Sequence, residues 1–188
     1  MTFVLQAGSS ILMAALLAVL LLNRLMARHP RQARNGTWNV NLSLGSEKAG
    51  LYTRAYIARR STFALRSPET LYFTAAQDAV GKKLHCRNTY VIEGRDPDAR
   101  WWSITPYKNE TLIPNALHRY SFSKTTVSRN DDGSWAVFVS PNRQPVNWLP
   151  AGEPSGEFTL TLRVYGPGTA LLAAPAKYPL PVIREVER

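Results

Sequence analysis

The chain opens on a hydrophobic block and then changes rhythm twice. No charged side chain occurs between Met1 and Asn23, and Ile11–Leu22 is unbroken apolar sequence. Phe3–Leu22 therefore supplies about the ~20 residues that a helix needs to cross ~30 Å of hydrocarbon. Farther on, Trp38, Val40, Leu42 and Leu44 alternate with polar residues, the period of a half-buried strand, until Gly45-Ser46. Leu51, Ala55, Ala58, Thr62 and Leu65 then recur at helical spacing, so Ala49–Arg66 is expected to be one short amphipathic helix stopped by Ser67-Pro68. Beyond Pro68 the pattern turns to short β-like segments: Leu71–Ala75, Leu84–Glu93, Trp101–Tyr107, Tyr120–Thr126, Trp135–Ser140, Phe158–Tyr165 and Val182–Val186. Strands this short and this evenly spaced predict a mainly β fold, an antiparallel sandwich or jelly roll. Asn130-Asp131-Asp132-Gly133 ahead of Trp135 predicts a hairpin, because Asp-Gly suits a turn with positive φ.

Three regions follow: residues 1–23 as a transmembrane anchor, 24–37 as a basic juxtamembrane linker, and 38–188 as the β domain. A cleaved signal peptide would instead show a basic start and a small-x-small site after its apolar core, and this core runs into Asn23-Arg24-Leu25-Met26. Arg24, Arg28, Arg31 and Arg34 follow the span and no Lys or Arg precedes it, so the positive-inside rule keeps the domain in the cytoplasm. The small residues Ala14, Ala15 and Ala18 permit close packing against a partner helix, and a plain lipid-facing anchor explains them equally well.

Composition narrows the chemistry. A length of 188 residues leaves room for one domain, and 13 Pro with 11 Gly favour turns over long helices. A formal charge of +10 favours anionic contacts. No basic stripe or reader motif for nucleic acid is present, so the arginines after the anchor are assigned to anionic lipid headgroups. Cys86 is the single cysteine, which excludes an intrachain disulfide. His29, His85 and His118 lack zinc-site spacing, so neither metal nor cofactor is expected. Phosphate loops and nucleophile elbows are missing. Asp96/Asp98 and Asp131/Asp132 sit in turn sequences that explain them without catalysis.

The remaining candidate is aromatic and basic: Trp101, Trp102, Tyr107, Arg119, Tyr120, Trp148 and Arg163. Brought together by strand pairing, they would form a cleft in which an arginine clamps a carboxylate or phosphate and the rings stack on a planar or sugar ligand. In the competing reading the tryptophans fill the core, and Arg119 and Tyr120 tie a loop to backbone carbonyls.

Several of these residues also carry a family resemblance. Trp101-Trp102-Ser103-Ile104-Thr105, Leu112-Ile113-Pro114-Asn115, Arg119-Tyr120-Ser121, Asp132-Gly133-Ser134, Asn147-Trp148-Leu149-Pro150 and Phe158–Tyr165 together resemble the domain-of-unknown-function family 1214, and Tyr52–Ala55 and Leu71–Thr74 extend the likeness. Ala116 and His118 stand where the family tends to show Pro and Asn. Lys108 replaces an acidic residue, and Val146 a glycine. The resemblance implies a bacterial β-sandwich behind one hydrophobic segment, exported through the inner membrane. That places the domain in the periplasm, opposite to the side the arginines favour. The expected function is a non-catalytic, membrane-tethered interaction module or accessory subunit of an envelope complex with a membrane-protein partner. A small-ligand or carbohydrate binder, or an enzyme using the aromatic/arginine cleft, is the alternative.

Overall fold

In the computed structural model, residues 12–21, 24, 32–42, 65 and 68–186 are described. Besides the helical residues 12–21, the elements among them are β1 Gln32–Asn35, β2 Trp38–Asn41, β3 Thr70–Ala75, β4 Tyr90–Gly94, β5 Ala99–Lys108, β6 Thr111–Leu112, β7 Phe122–Ser123, β8 Trp135–Ser140, β9 Trp148–Pro150, β10 Thr159–Pro167, the short helix α1 Thr169–Ala173, and β11 Val182–Glu185. They form two sheets. The larger runs β1-β2-β3-β10-β5-β6, with β7 also paired to β5; the smaller runs β11-β4-β8-β9. Every pairing is antiparallel except β8 with β9.

The long β10 is central because its neighbours on both sides are antiparallel and in register, Leu162 lying opposite Phe73 of β3 and Ile104 of β5. Its alternation sends Leu160, Leu162 and Val164 fully into the core and leaves Thr161, Arg163 and Tyr165 half-buried on the other face. From the smaller sheet, Tyr90, Ile92, Trp135, Val137 and Val139 enter the same apolar cluster. The two sheets meet through rings: Trp102 of β5 stacks on Trp135 of β8 at 4.6 Å and 25°. Tyr90 meets Phe158 edge-on at 5.7 Å.

Several expectations change. The stretch assigned to a linker contains β1, which pairs residue for residue with β2, so the domain begins at least six positions before Trp38. A strand forms there because Gly36, at φ +58°, closes a two-residue turn that folds 32–35 back on 38–41. The Asn130–Gly133 turn forms, with Gly133 at φ +80° and its N–H donating to Asn130 O at 2.9 Å. It joins no hairpin, since β7 pairs in the larger sheet and β8 in the smaller. The segment expected as a strand over Leu84–Glu93 is extended only from Tyr90. Residues 84–88 are a loop pinned by Tyr90, whose hydroxyl accepts from His85 N at 3.0 Å. Tyr120–Thr126 shrinks to Phe122–Ser123 because Thr126 N and Val127 N both turn back to Ser123 O.

Among the described residues, no helix is long and apolar enough to cross a membrane. Residues 12–21 are helical, about 15 Å at 1.5 Å per residue, and their large apolar side chains are 56% to 77% exposed. Residues 3–11 and 22 of the expected Phe3–Leu22 span, and the amphipathic helix over Ala49–Arg66 apart from Leu65, lie outside the described residues.

Candidate functional site

The seven aromatic and basic residues do not converge on one cleft. Trp102 is fully buried in the core, its indole N–H donating to Asp96 Oδ1 at 3.1 Å. Trp101, Tyr107 and Arg163 stand together on the opposite, outward face of β5 and β10, because side chains two apart share a side. Arg119 and Trp148 line a separate depression at the loops flanking β7 and β9. Tyr120, half-buried, belongs to neither group.

The outward face is the more built of the two places. Register puts Tyr165 beside Trp101, Arg163 between Ser103 of β5 and Tyr72 of β3, and Thr161 between Thr105 and Thr74. Trp101 and Tyr165 pack at 5.3 Å, tilted by 58°. Arg163 Nη2 donates to the Tyr107 hydroxyl at 2.6 Å and Nη1 to Thr105 Oγ1 at 3.4 Å, while the guanidinium carbon lies 5.3 Å from the Tyr107 ring centre. The cation is thus held in place by neutral groups, which leave part of its donor fork unused. Burial pushes the Tyr165 phenol up, with nearby Tyr72 and Tyr107 adding to the rise and Arg163 opposing it. The hydroxyl therefore stays protonated as a donor well past neutral pH. Sequence reasoning found three residues of this face and missed Tyr72 and Tyr165. Period-two counting from Arg163 reaches Tyr165, but Tyr72 enters only through strand pairing.

The remaining motif residues are structural. Asn147, at φ +44° and nearly buried, donates from Nδ2 to Ser128 O at 2.7 Å and to Ala136 O at 2.9 Å, and its Oδ1 accepts from Ser128 N at 2.9 Å. Asn115 closes its own turn by accepting from Arg119 N at 3.1 Å and donating to Arg119 O at 3.0 Å, so the asparagine, and not Arg119 or Tyr120, ties that loop. Asp96 receives Arg129 at 2.9 Å as well as Trp102. The carboxyl of Asp132 is held low chiefly by the Ser134 hydroxyl and N–H, with Arg95 a smaller influence. Arg34 belongs to the β1–β2 hairpin, where its Nε donates to Gly36 O at 2.9 Å. Arg28 and Arg31 lie outside the described residues.

Among the described residues, no three His, Cys, Asp or Glu side chains are grouped so as to hold a metal. His85 Nδ1 accepts from Arg87 N, and His118 occupies a turn at φ +50°. Cys86 is fully buried, and burial pushes its thiol up against a weaker opposing pull from Lys108. Because the folded value is the higher one, the unfolded chain loses this proton first, and stability falls as pH rises above the ordinary thiol range. A thiol-directed alkylating reagent at mildly alkaline pH is expected to label Cys86 only as fast as the protein opens. Labelling at the rate of a free cysteine in the folded state would contradict the burial.

Comparison with known proteins places the chain. The family described as a protein of unknown function (DUF1214) matches residues 69–169. The VPA0106 protein from Vibrio parahaemolyticus, a crystal structure, is 26% identical with a TM-score of 0.60, over 74% of this chain and 36% of that one. An uncharacterized protein from Burkholderia cenocepacia is 18% identical with a TM-score of 0.46, over 88% of this chain and 40% of its own. The chain therefore spans well under half the length of either solved relative. A search among curated proteins finds no match.

Proposed function

This chain belongs to the DUF1214 family, and we propose that it acts as a non-catalytic interaction module, an accessory subunit of a larger membrane or envelope complex, docking through the outward face of β3, β10 and β5. The observation that carries this reading is the held arginine among rings: Arg163 is fixed by Tyr107 and Thr105, with Trp101 packed on Tyr165 alongside. Aromatic residues and arginine are the side chains enriched where proteins bind one another most strongly. A face fixed in advance loses little conformational entropy on docking. The two sheets sharing one apolar cluster support a β-sandwich.

The apolar run Phe3–Leu22 and the exposed leucines within residues 12–21 support a single N-terminal membrane anchor in a bacterial inner membrane. Arg24, Arg28 and Arg31 lie at the headgroups in this arrangement. The family resemblance favours the periplasm for the domain. Charge asymmetry favours the cytoplasm, and protease access in sealed vesicles separates the two sides.

The test is gentle detergent extraction of the full chain from its native membrane, with size analysis of the wild type and of Trp101→Ser with Arg163→Gln. The wild type is expected to migrate at fixed stoichiometry inside a larger assembly, and the double variant to migrate alone while keeping most of its thermal stability. A lone wild-type protein, or a variant that stays in the assembly, would overturn the proposal.

A further inference from the structure

We infer that the depression between the Asn115–Arg119 turn and the connection from β8 to β9 is a binding site for a small phosphate monoester carrying a ring. Its volume is about 240 Å³, enough for one ring and one oxyanion. Arg119 and Arg143 both line it, together with Trp148. The salt bridges among the described residues are Lys83–Glu157, Arg95–Asp132, Arg129–Asp96 and Arg184–Glu93, so neither of these two arginines is matched by a carboxylate there. Arg119 lies instead over the Phe122 ring at 5.5 Å.

Two guanidinium groups at one concavity match a dianion, and a phosphate monoester carries about −2 near neutral pH with three acceptor oxygens. The rest of the lining selects for more than the anion. Trp148 has its only side-chain donor committed to Ser140 O at 3.0 Å, which leaves ring surface for a ligand. Leu117 and Val146 are exposed apolar side chains at the same place, 52% and 45% accessible. Both loops that carry the cations are pinned by the protein's own hydrogen bonds. Asn115 brackets Arg119 through its backbone N–H and C=O. On the other side, Ser140 Oγ accepts from Asn142 N at 3.1 Å, and Asn147 clamps the end of the connection. Pinning lowers the ordering cost of binding. The site is separate from the outward face of β3, β10 and β5 and stands or falls independently of it.

Isothermal titration of the detergent-solubilised full chain with phenyl phosphate, inorganic phosphate and benzoate tests the assignment. Phenyl phosphate is expected to bind saturably and more tightly than either of the others. Arg119→Gln and Arg143→Gln should each weaken it by about tenfold or more, the loss expected for a charge-assisted hydrogen bond. Both side chains are exposed, so the variants should keep the wild-type unfolding midpoint. Absence of saturable binding, equal affinity for inorganic phosphate, or unchanged affinity in both variants would overturn the inference.

Discussion

Trp102→Ala is expected to lower the unfolding free energy by about 3–5 kcal/mol, the range for removing a large aromatic from a packed core. Three links of the fold break at once. The stacked contact with Trp135 at 4.6 Å is lost, and with it the ring pair that joins the larger sheet to the smaller. The cavity forms inside the fully buried apolar cluster to which both sheets contribute, so collapse to fill it is restricted. Asp96 also loses the indole N–H, although Arg129 still neutralises it. Trp102→Phe keeps a ring and is expected to cost less than half as much. The measurement is the urea midpoint with the slope checked for constancy. A loss below about 1 kcal/mol for the alanine variant would mean that the sheets are not joined through this pair.

The second large effect belongs to Asn147. Its side chain satisfies two carbonyls and one N–H inside the protein, and its backbone is left-handed. Asn147→Ala strands all three partners and places a Cβ residue without local hydrogen bonding at positive φ, for an expected loss of about 3–4 kcal/mol. Asn147→Gly loses the same bonds but not the conformation, so it should be about 1 kcal/mol less damaging than alanine. Asn147→Asp is the sharper probe. It keeps shape and conformational preference but turns a two-donor group into an acceptor facing Ser128 O and Ala136 O. It should be worse than alanine at neutral pH and recover part of the loss as pH falls and the carboxyl protonates. If the three variants are equally and mildly destabilised, the clamp is not what fixes the β8–β9 connection.

Asn147 also shows how a motif conveys less than it contains. Asn-Trp-Leu-Pro is conspicuous in the chain, and its tryptophan suggests a ligand platform. In the fold the four residues serve different ends. Asn147 closes the crossover, Leu149 fills the core, Pro150 ends β9, and Trp148 faces the depression. A crossover is required there because β9 runs parallel to β8 and cannot follow it through a tight turn. Nothing in the residue order distinguishes that connection from a hairpin. The same gap explains the Asn130–Gly133 turn, whose chemistry was legible while the partners of the strands on either side were not.

Local pattern was enough to establish the mainly β character of the chain and the inward face of β10, where Leu160, Leu162 and Val164 alternate with Thr161, Arg163 and Tyr165, since alternation is a property of a strand alone. It also fixed the chemistry of the turns and, through a series of ordered motifs, the family. The tertiary structure decided what no strand carries by itself: that β10 lies between β3 and β5, that Trp102 turns inward while adjacent Trp101 turns outward beside Tyr165, and that Arg163 and Arg119 serve different places. Pairing partners and register are set by the sum of contacts across the whole core. A single shift of register would exchange the buried and outward faces of every strand involved, so the candidate site exists only at the level where that sum is taken.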